Sequence, residues 1–256
     1  MAKVYIGVGH GGSDPGAVKY LVEKDINLKM ALACRDYLVK HGVETKISRE
    51  NDKTVSINKK TSEANAWGAD FALDIHNNAG GGDGFEVIHS INGGKSKEFA
   101  QNIEAEVKKI GQNSRGLKTK KGTRGDYFGF IRQTNMPAVI CEGVFVDNKA
   151  DAAQADTDAE CRAFGEAYAK GILKTLGVKA SEVVPAQKPA QSTSAQGYIV
   201  KVTANALNIR AGAGTNYKVT GCIRDKGIYT IVETRGSWGK LKSGTGWISL
   251  NYTKRV

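Results

Sequence analysis

Four side chains able to bind or serve a divalent metal stand where apolar runs of this chain give way to small or polar residues. The stretch "YIGVGHGG", residues 5–12, presents His10. "DFALDIH", residues 70–76, ends on His76, and "PAVICE", residues 137–142, ends on Glu142. Glu23 opens the helical stretch that follows the His10 loop. Catalytic zinc takes three protein ligands of imidazole and carboxylate type and keeps one position for water. Two imidazoles and two carboxylates suffice for such a site with one carboxylate left over to carry protons. Spacing alone leaves open which glutamate would bind and which would move protons.

The same loop offers a rival chemistry. Gly7, Gly9 and Gly12 satisfy G-x-G-x-x-G, a dinucleotide fingerprint. That fingerprint requires its third glycine to open a helix whose N-terminus meets the pyrophosphate. Here Gly12 runs into "SDPGA", and the helical period begins only near Glu23. The acidic residue expected at the end of the second strand is replaced by Arg49, and a Walker-type Lys followed by Ser or Thr is missing. The glycines then serve close backbone approach around an open cavity. The other two histidines have plainer readings. His41 falls in the last turn of a helix, where it can cap free carbonyls, and His89 lies near a strand end as a structural or exposed residue.

The elements that must position these residues alternate. Strand-like runs cover 3–8, 43–48, 70–76, 84–90 and 137–142. Helical runs cover 23–41, 55–67, 95–110 and 159–176. The first carries Ile26, Met30, Ala33 and Tyr37 on one face with Leu28 and Leu32 beside them, and Gly42 ends it. Asp158 is the expected cap of the last, and Gly177 closes it. Such alternation predicts an α/β domain with a largely parallel sheet and helices on both faces. In an open parallel sheet the carboxyl ends of the strands share one edge, where ligands bind. His10, His76 and Glu142 would meet there, with Glu23 starting nearby.

The pattern changes after "VKASEVVPAQKPAQSTSAQG", a Pro-, Ala- and Gln-rich stretch that reads as a linker. The expected organisation is a catalytic domain over 1–177, a linker over 178–197 and a second domain over 198–256. In the last segment "YIVKVTA", "ALNIRA", "YTIVETRG", "WGKLKS" and "TGWISL" are short strands between glycine turns, a small all-β barrel. It also holds ten Lys/Arg against two Asp/Glu, most of the chain's net charge of +11. A basic patch implies an anionic partner, although no nucleic-acid motif accompanies it.

No apolar run reaches membrane-spanning length. The segment "MAKVYIGVGHGG" lacks the features of a signal peptide, so synthesis in the cytoplasm is expected. Cys34, Cys141, Cys161 and Cys222 show no C-x-x-C spacing and read as reduced thiols.

The segments "GHGGSDPGA", "EKDINL", "DIHNN" and "CEGVFVDN" resemble, in this order, the zinc-dependent N-acetylmuramoyl-L-alanine amidases of the type 3 class, which occur as bacterial autolysins and phage endolysins. The resemblance covers residues 3–176. It implies Zn2+ held by His10, Glu23 and His76, Glu142 as the catalytic carboxylate, and peptidoglycan as substrate, reached after release or export from the cytoplasm. Residues 198–256 are similar to bacterial SH3-like domains, which commonly bind the cell wall; Ala213 stands where that family often has proline. The implied partners are anionic wall polymer through Lys and Arg, or glycan and peptide through Trp238, Trp247, Tyr217 and Tyr252. Two alternatives share these residues: a non-catalytic wall-binding protein with a structural metal, and a zinc hydrolase of another amide.

Overall fold

Phe71 to Ile75 are buried without interruption, the mark of a strand covered on both faces. In the computed structural model, which describes residues 1–178, 198–215, 217–235 and 237–256, this strand lies inside a six-stranded sheet. The described residues form two compact units on either side of segment 179–197.

The first unit runs β1 (Lys3–Val8), α1 (Glu23–Lys40), β2 (Glu44–Ile47), α2 (Ile57–Trp67), β3 (Phe71–Asn78), β4 (Phe85–His89), α3 (Gly94–Lys109), β5 (Ser114–Lys118), β6 (Lys121–Gly122), β7 (Gly125–Asp126), α4 (Gly129–Gln133), β8 (Ala138–Phe145), α5 (Lys149–Ala152) and α6 (Asp158–Thr175). The sheet order is β2-β1-β3-β8-β4-β5. All pairings are parallel except β4 with β8. The connection from β3 to β4 is too short for a parallel crossover, which takes a dozen residues or more. The chain therefore returns antiparallel on the far side of β8.

The period of two along β1 divides the core. Val4, Ile6 and Val8 face a cluster built with Ile26, Met30 and Leu38 of α1, Phe99 and Ile103 of α3, and Phe164, Tyr168 and Ile172 of α6. Tyr5 faces the opposite cluster with Ala64 of α2, Phe130 and Ile131 of α4, and Ile140 of β8. Burying each large side chain contributes about 1.5–3 kcal/mol, so both helix layers hold the sheet.

Several boundaries depart from the sequence reading. β8 continues through Phe145, so Glu142 lies within a strand rather than at its tip. β1 ends at Val8, and His10 stands two residues beyond it. The cap of α6 is Thr157, in a reciprocal capping box with Glu160, rather than Asp158. β5, the β6–β7 hairpin, α4 and α5 were not anticipated. They are short, and four or five residues display no period. Val178, assigned to the linker, packs on the first unit's core; the rest of that linker lies outside the described residues.

Among the described residues, the regular elements of the second unit are strands apart from one 3-10 turn at Leu250–Tyr252. It contains β9 (Tyr198–Val202), β10 (Leu207–Arg210), β11 (Val219–Ile223), β12 (Ile228–Arg235), β13 (Trp238–Leu241), β14 (Trp247–Ser249) and β15 (Thr253–Arg255). Their order is β11-β10-β14-β13-β12-β9-β15, around Val200, Val202, Leu207, Ile223, Ile231, Leu241 and Ile248. Trp247 is buried, whereas Tyr217 and Tyr252 are about half exposed.

Candidate metal centre

Strand β1 delivers Gly9 and His10 beside the end of β3, where Gly9 N–H donates to the Ile75 carbonyl at 2.9 Å. His10 has φ 55, a left-handed conformation uncommon outside glycine. The chain turns there and returns through Asp14 to the start of α1, where Glu23 is buried. His76 follows Ile75 on β3 and completes the group.

The three side chains converge. Glu23 Oε1 lies 3.1 Å from His10 Nε2 and 3.1 Å from His76 Nδ1. The imidazole centroids are 5.0 Å apart at 81°. One donor atom from each residue falls within 4.8 Å of the others, the one such cluster of His, Cys, Asp or Glu among the described residues. A tetrahedral ion with bonds of ~2.0–2.1 Å separates its ligands by ~3.4 Å. Two imidazole nitrogens and one carboxylate oxygen at these separations fit a zinc-type cation with a further position for solvent.

Surrounding groups orient each member. His10 Nδ1 faces Asp14 Oδ2 at 2.8 Å, which leaves Nε2 toward the cluster. Asp14 is fixed in turn by the Gly16 N–H at 3.1 Å. His76 turns Nε2 toward Asp74 Oδ2 at 3.4 Å. Both Asp74 oxygens accept from the buried Lys60 Nζ, at 2.9 and 3.1 Å. Glu23 Oε2 accepts from Ala17 N–H at 2.9 Å, and Oε1 from Asn77 N–H at 3.1 Å and Asn27 Nδ2 at 3.3 Å. Such outer partners fix the direction and tautomer of metal-binding side chains. Two glycines make the close approach possible. A methyl group on Gly9 would overlap the His76 imidazole, and one on Gly16, at φ +67, would meet Glu23 and His10.

The two carboxyls are shifted in opposite directions. Burial alone would raise Glu23, but the His10 and His76 hydrogen bonds hold its carboxyl far below the usual range. Burial pushes Glu142 up to about 7, opposed by His76 and reinforced by Glu23, Asp74 and Glu86. Glu142 pairs in register with His76 on one side and Glu86 on the other. It lines a cavity of about 380 Å3 together with His10, His76, Thr54, Phe128 and Phe130. Its place in that lining, with His10 and His76, puts it beside the cluster.

The remaining histidines stay apart. His41 Nδ1 meets the Tyr37 carbonyl at 2.7 Å at the end of α1, and the buried His89 meets the Ser90 carbonyl at 2.8 Å. The sequence reading assigns no part in the site to Asp74 or Lys60, and names Arg49 only as a non-acidic strand end. Arg49 is 1% exposed. Its Nη2 donates to the carbonyls of Gly9 at 3.0 Å and Lys24 at 2.7 Å, tying the residue before His10 to the residue after Glu23. An acid inside an apolar strand was the available signal for Asp74; for Arg49 there was none.

Comparison with known proteins is consistent along the first unit. The family model for N-acetylmuramoyl-L-alanine amidase, Amidase_3, matches residues 4–174. The sporulation-specific N-acetylmuramoyl-L-alanine amidase of Bacillus subtilis (strain 168) is 36% identical over 218 residues, 83% of this chain and 78% of that one. The endolysin of Bacillus phage SPP1 is 33% identical over 186 residues, 69% of this chain and 66% of that one. The solved catalytic domain of CwlV, an N-acetylmuramoyl-L-alanine amidase from Bacillus (Paenibacillus) polymyxa var. colistinus, superposes with a TM-score of 0.64 at 28% identity, covering 70% of this chain and all of that one.

Proposed function

The chain belongs to the N-acetylmuramoyl-L-alanine amidase family Amidase_3, and from that premise we infer that it is a zinc-dependent cell-wall lytic enzyme whose ligands are His10, Glu23 and His76 and whose catalytic carboxylate is Glu142. The reaction is hydrolysis of the amide between N-acetylmuramic acid and L-alanine in peptidoglycan. The observation that carries the residue assignment is the position of Glu23 Oε1, 3.1 Å from an imidazole nitrogen of each histidine, with Glu142 facing the same cavity.

When bound, zinc supplies Lewis acidity that polarises the amide carbonyl and makes water a nucleophile near neutral pH. Glu142 accepts the proton of the attacking water and donates it to the departing amine as the carbon–nitrogen bond breaks. A carboxyl poised near neutrality by burial suits both transfers. Glu23, held ionised, contributes charge to the cluster and stays out of the proton path. Asp14 and Asp74 keep the imidazoles aimed at the cluster, and Phe128 and Phe130 give the cavity an apolar wall.

For the second unit the reading is an SH3-like anchor on the wall. Its excess of Lys and Arg and its exposed Tyr217 and Tyr252 support binding to anionic polymer or to glycan and peptide. The test of the amidase reading is mass spectrometry of purified peptidoglycan digested by the full chain. New amino-terminal L-alanine and free lactyl carboxyl groups are expected. They should vanish on chelation and return with zinc. Cleavage at another bond would replace the reading with another hydrolase. One metal per chain without any cleavage would favour a structural metal in a binding protein.

A further inference from the structure

The segment from β5 into α4, "KTKKGTRGDYFGFIR", residues 118–132, carries five Lys/Arg and one acid. The acid is turned inward. Asp126 accepts from Ser90 Oγ and from the Ile91 N–H, each at 2.8 Å, so it offers the cations no counter-charge; Lys118 instead reaches Glu86 Oε1 at 4.0 Å. Arg132 Nη1 donates to the carbonyls of Asp126 at 2.6 Å and Tyr127 at 2.7 Å, which fixes its guanidinium at the base of the β6–β7 hairpin. Lys120 lies over the exposed Tyr127 ring at 3.9 Å. Among the described residues Lys121 and Arg124 make no ion pair.

These cations begin where the wall of the catalytic cavity ends. Phe128, Gly129 and Phe130 line that cavity. The preceding Tyr127, with Lys121, Arg124 and Arg132, lines a concavity of about 470 Å3. Arg124 and Arg132 also border another of about 490 Å3, together with Lys95. The substrate's two halves differ in charge. An N-acetylated sugar whose lactyl carboxyl is consumed in the amide is neutral. The peptide half ends in at least one carboxylate. Charge complementarity therefore assigns the peptide, the leaving side, to the cation-lined end. One turn of α4 from Phe128 to Arg132 advances ~6 Å. Asp126 is held by Ser90 and Ile91, just past His89, which pairs with Val139 three residues before Glu142; at ~3.3 Å per extended residue the hairpin base is ~10–13 Å from Glu142, within reach of a carboxylate about three to four residues beyond the amide.

We propose that Lys121, Arg124 and Arg132, with Lys95 beyond them, form a subsite that selects peptides bearing a carboxylate on the leaving side of the scissile amide. The proposal rests on the amidase reading. Two exposed ion pairs amount to a preference of about five- to tenfold, weakened by salt.

The test uses the zinc-loaded full chain and two soluble muramoyl-tripeptides that differ only in a terminal carboxylate or carboxamide. The carboxylate should show the higher kcat/KM at low salt, and the ratio should shrink as salt rises. The double variant Lys121→Glu/Arg124→Glu, at exposed positions, should bring the ratio to one or below. Lys40→Glu, a single charge reversal at the exposed end of α1, should leave it as in the parent. Equal rates for the parent, or a preference that survives in the double variant, would overturn the subsite alone. Equal rates with inhibition by polyphosphate that the double variant escapes would reassign the cations to an anionic polymer. Hydrolysis of neither peptide would remove the amidase reading and the subsite together.

Discussion

Asp74 Oδ2 stands 3.4 Å from His76 Nε2, the nitrogen that His76 does not turn toward Glu23. Lys60 neutralises that carboxylate in a pair only 3% exposed on each side. Replacing Lys60 with Met strands a buried charge, which costs about 3–5 kcal/mol. The double variant Lys60→Met/Asp74→Asn should recover much of this in denaturant unfolding. It should still bind zinc about 10- to 100-fold more weakly than the parent, because the imidazole loses its orienting carboxylate. Chelator competition measures that loss; unchanged zinc affinity would reduce the pair to a packing element.

Glu23 and Glu142 are predicted to separate cleanly. Glu142→Gln should retain one zinc per chain by elemental analysis and lose activity by about 10^2- to 10^4-fold. Glu23→Gln should lose zinc first. Loss of metal from the Glu142 variant would mean that the two carboxylates have exchanged roles.

Much of this arrangement was legible in the sequence. His10, Glu23, His76 and Glu142 could be picked out because each follows or opens a periodic run, and parallel strands share an edge. The limits were physical. Asp74 and Lys60 are 14 positions apart, and a run of letters does not reveal that both are buried. Glu142 was read as a strand tip because Gly143 broke the apolar run; in the sheet, Gly143 packs against Asn77 and Tyr168 and the strand continues. The hairpin and α4 were missed because two- to five-residue elements have no period to detect.

Arg49 tests the idea that the ligand loop and α1 are fastened together. Arg49→Met leaves the Gly9 and Lys24 carbonyls without this donor. The Gly9 carbonyl keeps Asn27 Nδ2 at 3.2 Å, so a loss of about 1–3 kcal/mol is expected, measured by urea unfolding. Zinc affinity of the folded fraction should fall as well. A variant that loses stability while binding zinc as tightly as the parent would limit Arg49 to a structural role.

The aromatic residues of the second unit should divide by burial. Trp247, 6% exposed, should unfold the unit when changed to Ala, at about 3–5 kcal/mol. Tyr217→Ala and Tyr252→Ala, at 47% and 55% exposure, should keep its near-ultraviolet spectrum and reduce co-sedimentation with purified walls. Full sedimentation of the double Tyr variant would direct attention to the Lys and Arg side chains instead.

Thiol labelling gives an independent check on the fold. Cys34, Cys141 and Cys161 are buried and Cys222 is exposed. Burial raises the first two thiols and pushes Cys161 up to about 11, so the reactive thiolate is suppressed in all three. Native protein should titrate one thiol with a disulfide reagent and denatured protein all four. Rapid labelling of more than one native thiol would contradict the packing of α1 and α6 on the sheet.

Glu142 faces the cavity because β8 is in register with β3 from Ala72–Ala138 to His76–Glu142, before the register shifts at Asn78. A slip of one position would send the carboxylate to the other side of the sheet. On the proposed mechanism, a nascent chain whose central strands have not zipped in register would lack its proton-carrying group beside the cluster, and destructive capacity would arrive together with the native state.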